Sequence, residues 1–166
     1  MKGRVLVVVL VAAFFLAAAA SYAQVQEDIA AQKNCRVCGM SREMFSQSRF
    51  LVEYDNGSVS ATCSARCAAL DMSLNMGRMP KSIRVADFTT RQLIDAEKAY
   101  WVIGGKKEGV MSSRAKWAFQ KKQEAEGFRA KNGGKPGTFQ EALKASFEDM
   151  YKDLKTFWGN MKKHDH

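Results

Sequence analysis

Apolar residues first form an unbroken block from Val5 to Ala20, then scatter into short runs whose periods predict the elements of the fold. Phe50-Leu51-Val52-Glu53-Tyr54 reads as a strand, Asp55-Asn56-Gly57-Ser58 holds the Asn-Gly pair that favours a tight hairpin turn, and Val59 to Thr62 returns as a second strand. That hairpin aims Cys63 back toward the segment preceding the first strand. Ser64 is placed to cap a helix from about Ala65 to Met76, which carries Cys67, Leu70 and Leu74 at helical spacing and is ended by Gly77 and Pro80. Ser82 to Phe88 alternates as a third strand.

A similar order is expected downstream. Thr89 to Glu97 reads as connecting structure, Tyr100-Trp101-Val102-Ile103 as a strand, Gly104 to Gly109 as a turn, and Val110 to about Arg114 as a second strand bearing Met111. Trp117 to Ala130 then reads as a helix closed by Asn132-Gly133-Gly134. Thr138-Phe139-Gln140-Glu141 is a capping-box signature, and the helix it opens carries Leu143, Phe147, Met150, Leu154, Phe157 and Met161 in steps of three and four. This stripe needs a partner, and the expectation is the protein's own core or a second copy rather than a membrane. The tail from Lys162 to His166 is polar and expected to fray. The fold class expected is therefore α+β. Residues 24–34 form a linker or short helix, 35–88 and 89–137 form two small related ββαβ units, and 138–166 form a C-terminal amphipathic helix with a polar tail.

The apolar block changes the picture of where the protein works. Lys2 and Arg4 precede it and Ser21-Tyr22-Ala23 follows as a small-x-small cleavage site, so residues 1–23 read as a secretory signal. Sixteen apolar residues fall short of the about 20 that a spanning helix prefers, and no Cys follows to carry a lipid. A cleaved, periplasmic protein that is not a lipoprotein is expected, with membrane contact only if the signal stays attached. The formal charge of +9 becomes +7 without Lys2 and Arg4. Export argues against a nucleic-acid partner; a solvated surface, an acidic protein or an anionic membrane surface each fit the charge.

Chemistry concentrates in Cys35-Arg36-Val37-Cys38-Gly39-Met40, where two thiols and a thioether lie within six residues. Thiolate and thioether ligands select Cu(I), zinc and iron–sulfur centres, and the Met moves the choice toward Cu(I), because zinc takes Cys, His and carboxylate. Cys63 and Cys67 lie one helical turn apart, so the four cysteines also have a spacing that a four-thiolate zinc site could use. In an oxidising compartment two disulfides are a third reading. A lone Met such as Met111 is more often core filling than a ligand. His164 and His166 form an H-x-H end whose mobility makes it a weak, adventitious site. No general base, partnered nucleophile or phosphate-binding loop accompanies the sulfur residues, so an enzyme is not expected.

Cys38-Gly39-Met40, Asp87-Phe88-Thr89, Asp95-Ala96, Tyr100-Trp101-Val102-Ile103-Gly104 and Gly109-Val110-Met111-Ser112 form an ordered series. Together with Phe119, Phe128 and Asn132-Gly133-Gly134, this series resembles the nitrous oxide reductase accessory protein NosL family over about residues 35–139. The resemblance implies a periplasmic Cu(I)-binding protein of two ββαβ units, similar in arrangement to part of the organomercurial lyases, that delivers copper during maturation of nitrous oxide reductase. It assigns Cu(I) to Cys38 and Met40 and raises Met111 to a candidate ligand. Cys63 and Cys67 stand outside the basic family pattern; with Cys35 they join the copper site, hold a second metal or form a disulfide. The function expected is a metallochaperone that passes copper to an apoenzyme or another copper-transfer protein, the alternative being a zinc- or disulfide-stapled interaction module.

Overall fold

β-Branched and aromatic residues at Phe50–Tyr54 and Val59–Thr62 make the first two strands, β1 and β2, of the computed structural model, which describes residues 27–164. The signal at 1–23 lies outside the described residues. A short helix, α1 (Glu27–Ala31), precedes β1 within the segment expected to be a linker or short helix. The β1–β2 turn forms as expected: Gly57 takes φ +79°, which its missing Cβ permits, and the Asn56 Oδ1 accepts from the Ser58 N–H at 3.0 Å. Ser64 caps α2 (Ala65–Leu74), accepting from the Cys67 N–H at 3.3 Å, and the chain returns as β3 (Pro80–Ala86). β3 pairs antiparallel with β1, placing β1 at the centre of the β2-β1-β3-β4 sheet, and β4 (Leu93–Asp95) adds an edge strand within what sequence alone marks as connecting structure.

The second sheet has the order β6-β5-β7, built from β5 (Tyr100–Ile103), β6 (Lys116–Phe119) and β7 (Lys135–Gly137), with helix α3 (Lys122–Asn132) between β6 and β7. Again the first strand is central and the third returns beside it after a helix. Two expectations fail here. Residues 110–114 form a tight loop rather than a strand, and Trp117 to Phe119 lie in strand β6 rather than opening the helix. A Cβ on Gly109 would run into the Ser112 carbonyl and come within 2.8 Å of the Ala115 Cα, so the chain folds on itself there. In β6 all four residues are buried, Trp117 and Phe119 against Phe88 and Phe128, and Lys116 and Ala118 toward α4 (Phe139–His164) and the first sheet. A strand covered on both faces loses the alternation that would mark it.

Phe50 of β1, Trp101 of β5 and Phe139 of α4 meet with ring centroids 5.9 to 6.3 Å apart, so the two sheets and the last helix share one core. The junction is pinned by buried Asp87. Its Oδ2 accepts from the N–H and hydroxyl of Thr90, its Oδ1 from the Gln120 N–H, while the Phe88 N–H reaches the Ala118 carbonyl at 2.8 Å. The capping box that opens α4 forms, the Thr138 N–H donating to the Glu141 carboxylate at 2.7 Å.

The apolar stripe of α4 behaves differently in its two halves. Phe139, Ala142, Ala145 and Ser146 are buried, whereas from Tyr151 onward the large apolar residues are exposed. The stripe is expected to meet the protein's own core or a second copy; its proximal half meets the core, and its distal half extends beyond it. The helix also continues to His164, into the stretch expected to fray.

Candidate metal centre

Four sulfurs converge where the segment before β1 crosses the start of α2. Cys35, Cys38, Cys63 and Cys67 are all free thiols, and their sulfur atoms lie within 4.8 Å of one another. The Cys38 Sγ is 3.5 Å from the Cys63 Sγ, and the Cys63 Sγ is 3.8 Å from the Cys67 Sγ. Four thiolates at about 2.3 Å from one ion stand roughly 3.8 Å apart, so the cluster is already close to the size of a single-ion cage.

Local backbone chemistry explains why the sulfurs point inward. Asn34 bridges Ser41, the Cys35 N–H donates to the Met40 carbonyl at 2.8 Å, and the Gly39 N–H to the Cys35 carbonyl at 2.9 Å. That closed knuckle needs a left-handed residue, and Gly39 supplies it at φ +77°. Cys67 sits in the first turn of α2, with Cys63 just before its Ser64 cap, and the Cys63 carbonyl is fixed by the buried Ser48 hydroxyl at 2.7 Å.

Cys35, Cys63 and Cys67 are 3%, 0% and 2% exposed, whereas Cys38 and Met40 are half-buried at the rim. Val37, Cys38, Met40, Phe45 and Val110 pack against the three buried cysteines. Met40 is thus packed against the cluster. Met111 follows Val110 but is 39% exposed, with its backbone in the left-handed region at φ +61°. The His164 side chain and all of His166 lie outside the described residues.

The thiols share charge unequally. Hydrogen bonds from Cys63, and then from Cys67, hold the Cys35 thiol far below its ordinary range against the effect of burial, and the N–H groups of Cys38 and Val37 add to this. The same bonds, with burial, push Cys63 far up and Cys67 up to about 12. Among these three, Cys35 is thus the thiol that ionises most readily, and Cys63 and Cys67 hold their protons more tightly.

A buried cationic network lies close enough for Cys35 to act on it. Arg42 and Arg49 are fully buried, and both guanidiniums close on the Asp28 carboxylate of α1, at 2.6 Å from the Arg42 Nη2 and at 2.8 and 2.9 Å from the Arg49 Nη2 and Nε. Burial works to raise the Asp28 pKa, and the two arginines overcome it and hold the carboxyl low. Arg42 also donates to the carbonyls of Asp28 and Gln32, and the Cys35 charge acts on it. Two cations against one carboxylate leave a positive surplus that favours a thiolate nearby. Sequence reasoning missed Asp28, Arg42 and Arg49; an isolated charge in a polar stretch looks like solvated surface, and nothing local marks it as buried.

A family profile described as NosL matches residues 26–147. The chain belongs to the NosL family. Its fold is similar to that of the copper chaperone NosL from Shewanella denitrificans, a crystal structure matched with a TM-score of 0.52 and 23% identity over 66% of this chain and 89% of that one. No curated protein matches the chain. The family match ends at residue 147, so the exposed half of α4 lies beyond it.

Proposed function

We propose that this NosL-family protein is an exported Cu(I) metallochaperone that holds one copper ion in the four-cysteine cluster and passes it to a copper-accepting protein. The observation that carries this reading is four free thiols within 4.8 Å of one another with the Met40 side chain packed against them. A thioether beside thiolates suits Cu(I), and it cannot be lost to a disulfide in an oxidising compartment. The structural relative is itself described as a copper chaperone, and the resemblance to nitrous oxide reductase accessory proteins makes that reductase the first recipient to test.

In this mechanism Cys35, Cys63 and Cys67 form the buried floor of the site, and Cys38 and Met40 form its exchangeable rim. An acceptor ligand approaches at the rim, forms a bond to Cu(I), and displaces the Cys38 thiolate, which takes up a proton. Copper stays Cu(I) throughout. Further exchanges at the floor complete the hand-over, and the partly exposed Met111, next in the chain to Val110, serves as a transient second thioether ligand during it.

Anaerobic protein titrated with Cu(I) against a chromogenic competitor tests the reading. One tightly held Cu(I) per chain is expected, with binding abolished by Cys63→Ser combined with Cys67→Ser. Met40→Leu should weaken retention, and Met111→Leu should slow transfer to an acceptor while leaving affinity nearly unchanged. The C-x2-C and C-x3-C spacing around a cage of this size also favours zinc. Stoichiometric zinc that Cu(I) does not displace would overturn the copper reading and establish the zinc-stapled interaction module instead.

A further inference from the structure

We propose that the distal half of α4 is a membrane-surface element that lies on anionic lipid. Tyr151, Leu154, Phe157, Trp158 and Met161 are between 47% and 60% exposed, although all are large and apolar or aromatic. Five such side chains on one short helical segment make a contiguous patch, which soluble surfaces rarely carry without a use.

Their order around the helix identifies the kind of surface that fits. At 3.6 residues per turn, Phe157, Met161, Leu154, Trp158 and Tyr151 follow one another over about a third of the circumference. Lys155 comes next, with its ammonium 5.8 Å from the centre of the Tyr151 ring, and then Lys152. The face thus passes from hydrocarbon to indole and phenol to ammonium, the order met on moving from the acyl chains of a bilayer to its headgroups. Asp153 closes the circle toward the body of the protein, where Arg66 of α2 takes up its charge. The exposed part of the segment is therefore basic, and the helix backbone runs on through Lys162 and Lys163. Among the described residues no helix is long and apolar enough to cross a membrane, so the contact lies in the interface.

A second copy fits the patch less well. An antiparallel pair of these helices sets the lysine edge against its own copy, and a parallel pair sets it against Asp153, whose charge Arg66 already holds. Anionic lipid neutralises the lysines and covers the aromatic residues together. The tie to α2 is made by Arg66, which precedes Cys67, so membrane contact and metal site are joined through one helix.

Trp158 makes the test specific. The other two tryptophans, Trp101 and Trp117, are 1% exposed, so quenching by lipid reports on Trp158 even if the apolar block at the N-terminus also binds vesicles. The full chain is mixed with vesicles of equal parts brominated phosphatidylcholine and phosphatidylglycerol, and with vesicles of brominated phosphatidylcholine alone. Strong quenching with a blue shift is expected on the anionic vesicles and little on the neutral ones. The quenching should disappear in Trp158→Phe and in Leu154→Asp/Phe157→Asp, and fall several-fold in Lys152→Glu/Lys155→Glu, with circular dichroism unchanged. An unquenched Trp158 on anionic vesicles overturns the proposal. So does a stable dimer in sedimentation that the Leu154→Asp/Phe157→Asp change dissociates, which would assign the patch to a second copy.

Discussion

Replacing Asp28 by Asn removes the one carboxylate that holds two buried guanidiniums, and the consequence can be worked through. The side chains of Arg42 and Arg49 are 0% exposed and that of Asp28 8%, so water cannot replace the lost charge without opening the fold. Removing one member of a buried ion pair costs about 3–5 kcal/mol, because the other charge stays buried. The substituted amide could still accept from one guanidinium through its oxygen, but its N–H groups would face the other, so the full range is expected. Against a typical total of about 5–15 kcal/mol this takes away a large share of the stability. With a urea m-value of about 2 kcal/mol/M the unfolding midpoint should fall by roughly 1.5–2.5 M. Urea titration followed by circular dichroism on metal-free protein measures it. The pH dependence has a definite sign. The folded Asp28 pKa is depressed, so its contribution is complete above the unfolded value of about 3.9 and is lost as pH falls through the lower folded value. The gap between parent and variant should be constant from about pH 5 to 7 and close in more acid solution. A variant within about 1 kcal/mol of the parent at pH 7 would refute the reasoning that the buried arginines depend on the Asp28 carboxylate.

Three further outcomes follow from the same geometry. With an aromatic disulfide reagent under anaerobic, metal-free conditions, Cys38 should react first and the other three thiols only on unfolding, since Cys38 alone is half-exposed; uniform reactivity would show that the cluster opens. Gly109→Ala should cost about 1–3 kcal/mol by thermal unfolding, because its Cβ meets the Ser112 and Ala115 backbone, and it should disturb the metal site through Val110; an unchanged melting temperature would contradict that packing. Thr138→Ala should cost about 1 kcal/mol, since it deletes the hydroxyl that accepts from the Glu141 N–H, and a double-mutant cycle with Glu141→Ala should show the two are coupled.

Much of the frame is legible wherever a local signal has a local cause. The Asn-Gly turn, the Ser64 cap and the Thr138 capping box are each formed by groups within three residues, so their spacing alone predicts them. The cysteine knuckle is similar, since Gly39 and the Cys35 to Met40 hydrogen bond close it within six residues. Strand β6 fails the same treatment. Its Lys116 is charged, and the countercharge that makes a buried lysine acceptable there is Asp149, more than thirty residues away on α4.

By itself, then, the sequence determined that soft sulfur side chains are concentrated in two short segments, that an α+β fold carries them, and that an amphipathic helix follows. Short-range hydrogen bonds and side-chain periodicity are written residue by residue, which is why those features could be read. The tertiary structure alone decided that the two cysteine pairs make one cluster, that the Asp28 carboxylate bridges two buried arginines beside it, and that the distal half of the last apolar stripe is left uncovered. Each of these depends on which distant segments meet and on which charges lose their water, and no period or spacing along the chain records either.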